Sequence, residues 1–159
     1  MHGCPCGYLG DKKRECSCKQ FEIERYHRKL SGPLLDRIDL QVYVPRLEYA
    51  DLQSREAGES SAVIRERVIK ARQLQLLRLQ GTNLYCNAQM GRRELNKHSQ
   101  MEAAAEKLLA KFFTALGLSA RSHDRIIKVA RTIADLDGSD IITAAHLAEA
   151  VQLRTSLNS

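Results

Sequence analysis

The sequence predicts a mostly helical chain in two unlike parts: a short α/β remnant over residues 1–45 and an all-α module over residues 61–155. Three observations lead there. Only one segment alternates with period two: Leu40, Val42 and Val44 are interleaved with Gln41 and Tyr43 and ended by Pro45. Every apolar pattern after residue 60 recurs at three or four positions instead. A polar connection, residues 46–60, separates the two regimes. A lone strand cannot satisfy its own backbone donors and acceptors. Residues 1–45 are therefore expected to be the tail end of a larger sheet domain.

The elements follow in order. Residues 1–19 are a Cys/Gly/Pro/Lys segment with a turn at "GDKK". Gln20–Leu30 reads as a helix with Phe21, Ile23, Tyr26 and Leu30 on one stripe. Ser31-Gly32-Pro33 stops it, because proline cannot extend a helix. Leu34–Arg37 is a short helical turn leading into the strand. In the second part, Ile64, Val68, Ala71, Leu74 and Leu77 mark one amphipathic helix. "GTNLYCNAQMG" reads as a loop. Ala105, Leu108, Leu109, Phe112, Phe113 and Leu116 mark the next helix, ended by Gly117. Ser119 is a good N-cap for a third, with Ile126, Ala130 and Ile133 facing the core and Gly138 closing it. Thr143 can cap a last helix carrying Leu147, Val151 and Leu153, and residues 156–159 form a tail.

Composition narrows the function classes. The 159 residues are 43% hydrophobic and 28% charged, an ordinary soluble balance. No apolar run approaches the ~20 residues that span a bilayer, and no apolar leader is visible. No membrane partner and a cytoplasmic location are expected. A net charge of +6 allows a polyanionic partner. The absence of Trp argues against a base-stacking platform. Interspersed acids dilute the basic residues at 12–14 and 25–29, which read as solvated surface.

Four of the five cysteines, Cys4, Cys6, Cys16 and Cys18, crowd into the first eighteen residues as C-x-C-x₉-C-x-C. Four thiolates can hold zinc tetrahedrally, and reduced loop thiols are the equal alternative. Cys86 reads as a lone loop thiol, and His27, His98, His123 and His146 as structural. Arg37 stands between Asp36 and Asp39. It reads either as a salt-bridged arginine or as one held out toward another subunit. Arg121 lies two residues past Ser119, where a cation opposes the helix dipole.

Three stretches carry a resemblance. "CPCGYLGDKKRECSC" (4–18), "SGPLLDRIDLQVYVP" (31–45) and "LSARSHDRIIKVARTIADLDGSDIITAAHLAEAVQLR" (118–154) resemble, in this order, magnesium-chelatase-related AAA+ ATPases of the ComM (YifB-like) type. The resemblance implies the end of an AAA+ core over 1–45 and a helical lid over 61–155. It implies Arg37 as an arginine finger acting in trans. It implies Arg121 as the sensor 2 arginine, with Arg125 as the alternative. By the same resemblance the full-length protein uses ATP and Mg²⁺. It forms a ring, expected to be a hexamer, and acts as a helicase-like motor on branched DNA in recombination and natural transformation. The glycine-rich phosphate cradle and the magnesium-binding carboxylates of that family are absent from these residues. His2 and Gly3 stand where the family carries the Asn-Pro of sensor 1. The chain alone is expected not to hydrolyse ATP. Two other readings are the ATPase subunit of a magnesium chelatase, and a zinc-bearing interaction module that is no enzyme.

Overall fold

The computed structural model describes residues 2–11, 13–29 and 58–155, together with positions 34, 37–42, 44, 47, 49 and 53. The Ser31-Gly32-Pro33 stop, Leu30, Leu35, Asp36, Tyr43, Pro45, much of the 46–60 connection and the 156–159 tail lie outside the described residues. The chain divides into two compact units, one covering residues up to 55 and the other Glu56–Thr155.

In the first unit the helix described from end to end is α1 (Gln20–His27). The Glu22 carboxylate reaches back to the Lys19 backbone N–H at 2.8 Å and satisfies one free donor of the first turn. The expected apolar stripe is not buried: Phe21 is 58% exposed, and no residue of α1 is fully buried. The expected strand is described only in part. Among the described residues no strand occurs, and Leu40, Val42 and Val44 are exposed. The mostly helical character of the predicted fold class is what the structure shows, and no strand is seen among the described residues of its α/β part. Alternation alone does not make a strand where no partner backbone accepts its hydrogen bonds.

The second unit contains α2 (Ser61–Arg78), a 3₁₀ turn (Asn87–Gln89), α3 (Arg92–His98), α4 (Ala103–Ala115), α5 (Ala120–Leu136) and α6 (Ala144–Thr155). α5 is the central helix. It packs on α6, on α2, on α3 and on the 3₁₀ turn, while α4 packs on α6. Its inward face carries Ile126, Ile127, Ala130 and Ala134, which join Leu79, Met90, Leu95, Leu109, Ile142, Leu147 and Val151 in the core. The caps explain the boundaries. Ser119 Oγ accepts the Ser122 N–H at 3.1 Å. At the other end of α5 Gly138 adopts φ +70°, and the Ser139 N–H then reaches the Ala134 carbonyl at 2.8 Å. The Glu102 carboxylate accepts the Ala144 N–H at 2.7 Å, tying the start of α6 to the start of α4.

Three expectations change. The 3₁₀ turn falls inside the expected loop, and α3 follows it where no helix was read. Of the stripe expected on α2, Ala71 is buried but Ile64, Val68, Leu74 and Leu77 are exposed, and Gln75 and the C-cap residue Leu79 are buried in their place. Arg131, which by its charge alone reads in the sequence as part of the module's charged face, is fully buried. Its guanidinium donates to Asp135 at 3.1 Å, to the Asp140 carbonyl at 2.7 Å and to the Ser139 carbonyl. Those three acceptors make burial tolerable for a charge that would otherwise be expelled to water.

Candidate functional site

The clustered cysteines are brought together by two turns. Gly7, at φ +85°, allows a tight reversal in which its N–H donates to the Cys4 carbonyl at 3.1 Å. Asp11 then organises the return: its Oδ1 accepts the backbone N–H groups of Lys13 at 2.8 Å and Arg14 at 3.1 Å. Arg14 donates to the Tyr8 hydroxyl at 2.8 Å, and its guanidinium carbon lies 4.3 Å from the centre of that ring. This strap folds the nine intervening residues back and delivers Cys16 and Cys18 to Cys4 and Cys6.

The four sulfurs lie within 4.8 Å of one another. Cys4 and Cys6 are 3.3 Å apart, and Cys16 is 3.5 Å from each of them. Zn–S bonds of about 2.3 Å in a tetrahedron place sulfurs roughly 3.8 Å apart. The arrangement fits one ion. A multi-iron cluster puts its own atoms between the thiolates and needs them more widely spread. All four are free thiols, with Cys4 fully buried. The backbone N–H of Tyr8 is the main influence lowering Cys6, to about 6. The Cys6 backbone N–H acts the same way on Cys18, but burial and the neighbouring sulfurs outweigh it and push that thiol up to about 12. A cation at the centre removes the repulsion that keeps these protons in place.

The arginines are placed separately. Arg37 is exposed in the first unit, where its N–H donates to the Leu34 carbonyl at 3.0 Å. Arg121 belongs to the second unit and is exposed on the first turn of α5. Arg125, one turn on, is half-buried. Arg154 on α6 donates to Ser122 Oγ at 3.0 Å, which fixes the turn that carries Arg121.

Sequence reasoning missed a buried polar network under α5. Asp135 accepts from Arg78 of α2, from Arg131 and from the Asn87 amide at 2.8 Å. The Gln75 amide oxygen accepts the Asn87 N–H at 3.3 Å and the Arg72 guanidinium at 3.2 Å. The histidines also have specific partners. His146 Nδ1 accepts the Thr143 N–H at 3.1 Å, and His123 Nδ1 meets Asp124 at 3.0 Å. His27 Nε2 donates to the Gly3 carbonyl at 2.6 Å. No helix among the described residues is long and apolar enough to cross a membrane.

Comparison with known proteins places these features in a family. Residues 58–154 match the model for the C-terminal domain of magnesium chelatase subunit ChlI, and residues 1–52 match the model for the subunit ChlI domain itself. The chain is 41% identical over 155 residues to the competence protein ComM of Haemophilus influenzae. It is 38% identical over 156 residues to YifB of Escherichia coli. A Mycobacterium tuberculosis protein is 34% identical over 151 residues. These alignments cover 97%, 97% and 95% of this chain but 29% of each relative. The order of the two matched domains, and the breadth of the second, establish that the chain belongs to the magnesium chelatase ChlI family and is a ComM- and YifB-like member of it.

Proposed function

We propose that the chain supplies two arginines to ATP sites formed between subunits of a ring-shaped AAA+ motor. Arg37 acts as the finger in trans and Arg121 as sensor 2. The observation that carries this reading is the exposure of Arg121 on a first helical turn held by Ser119, Ser122 and Arg154. A cation there opposes the helix dipole, so its place is better explained by a phosphate ligand than by folding. Guanidinium suits both positions because it stays charged and binds phosphate oxygens bidentately. ATP with Mg²⁺ is the nucleotide, and branched DNA handled during recombination and transformation is the substrate, as the likeness to a competence protein suggests.

The test uses a full-length protein containing this segment. Arg37→Ala is expected to leave nucleotide affinity nearly intact. Hydrolysis is expected to fall by about 10³-fold or more, because the lost contact is made in the transition state. Mixing this variant with one defective in the phosphate cradle is expected to restore activity at interfaces that pair two intact halves. Loss of ATP affinity with normal turnover at saturation makes Arg37 a structural residue. The 159-residue chain alone is expected to show no ATP turnover.

The family model favours a second reading, an ATPase subunit that drives magnesium into a porphyrin. Stimulation of ATP hydrolysis by branched DNA, and none by a porphyrin with its partner subunits, decides for the motor. In either case the four cysteines hold one zinc ion, which supplies a structural cross-link and no chemistry.

A further inference from the structure

α1 poses a physical problem. It has eight residues and buries none of them fully. Isolated helices of that length are unstable in water, because nucleation costs more than two turns of hydrogen bonds return. Among the described residues packing is partial, with only Ile23, Tyr26 and His27 half-buried, so the ends must carry much of the difference.

Both ends lead to the cysteine cluster. At the N-terminal end Cys18 directly precedes Lys19, the cap residue whose N–H is held by Glu22 at 2.8 Å. At the C-terminal end His27 Nε2 donates to the Gly3 carbonyl at 2.6 Å, and Gly3 directly precedes Cys4. The helix therefore bridges two points of the chain that the sulfurs themselves bring together. We infer that α1 folds with metal binding, and that His27 is a positioning residue of the metal centre. This rests on the reading that the four sulfurs hold one ion.

The coupling is reciprocal. An ion bound by Cys4 and Cys18 fixes the spacing of the two residues next to them, Gly3 and Lys19. That fixed frame is what a two-turn helix needs at its ends. Conversely, the His27 hydrogen bond restrains Gly3 and so holds Cys4 in place for the ion. Removing it exposes the ligand loop to more conformations, all of which must be given up on binding.

The experiment uses the whole 159-residue chain. Zinc(II) is titrated against a chromophoric chelator, and amide hydrogen exchange is followed with and without zinc. Amides of Ile23–His27 are expected to be protected with zinc and to exchange freely after chelation. Amides of α5 should keep their protection in both states, which controls for the fold. His27→Ala is expected to weaken zinc binding about tenfold or more and to lose α1 protection even when saturated. His27→Gln, which keeps a donor, should recover part of both, and Arg25→Ala should match the parent chain. Failure to take up zinc overturns the metal centre and this inference with it. Zinc uptake with equal α1 protection in both states overturns the inference alone. Unchanged affinity in His27→Ala removes His27 from the centre.

Discussion

Asp135 carries a charge where no water reaches, and Arg78, Arg131 and Asn87 hold it there. Burial lowers the pKa of Arg131 from its ordinary value, and Asp135 opposes that shift. Replacing Asp135 with Ala would strand a guanidinium in the core. The expected loss is about 3–5 kcal/mol, and each kcal/mol shifts the melting temperature by roughly 4–8 °C for a unit of this size. Arg92→Ala is the contrast, because its pair with Asp124 lies at the surface with Arg92 62% exposed. Its expected cost is at most about 1 kcal/mol. Urea melts of both variants check the pair of predictions. Cys86 gives a chemical one. Burial raises its pKa, but a hydrogen bond and the charge of Arg72, with the N–H groups of Gln89 and Ala88, bring it below the ordinary thiol value. In zinc-loaded protein it should be the thiol that iodoacetamide modifies, at a lower pH than an ordinary thiol requires. The sign follows from the thiolate being the nucleophile: Arg72→Ala removes a lowering influence and should move the alkylation profile to higher pH. None of this network was legible in the sequence. Gln75, Asn87, Arg131 and Asp135 look like surface residues, and only their mutual contacts across as many as 57 positions make them core.

At the scale of elements, what could be read was what local chemistry decides. Ser119 caps α5, Gly117 and Gly138 adopt positive φ after their helices, and Ala105, Leu109, Ile126, Ala130, Leu147 and Val151 are buried. α2 was misphased because its inward face is partly polar. Its stripe was read through Leu74 and Leu77, whereas Gln75 and Arg78 turn inward to meet Asn87 and Asp135. Every residue of Ser61–Lys70 is exposed, so this half of the helix takes no part in the core. Val68→Asp is therefore expected to change stability by no more than about 0.5 kcal/mol. Leu147→Ala, at a fully buried position, should cost about 2–5 kcal/mol. Denaturant unfolding of the two variants measures both. The cysteine cluster was legible as a candidate from spacing alone. The His27 contact was not, since 24 positions separate it from Gly3.

The two units differ in what holds them. The second has a continuous hydrophobic core, from Leu79 to Val151. The described part of the first buries one hydrophobic residue, Cys4. An excised piece covering 58–155 is expected to melt in one cooperative transition, unaffected by chelator. A gradual, featureless melt would show that the helices depend on residues outside it. In the whole chain, chelation should leave that transition in place. The exposed half of α2 also governs how the molecule behaves in the test tube. Val63, Ile64, Val68 and Ile69 face water there, among Arg65, Arg67, Lys70 and Arg72. The apolar groups attract other copies, and the cations, in a chain of net charge +6, repel them. At physiological ionic strength that repulsion reaches only about 8 Å, and added salt shortens it further. Salt should therefore promote clumping of this chain rather than dissolve it. Light scattering should rise between low and high sodium chloride, and Val68→Asp should flatten the rise. A purification begun at low ionic strength, with uncharged glycerol as additive, follows from the surface of one helix.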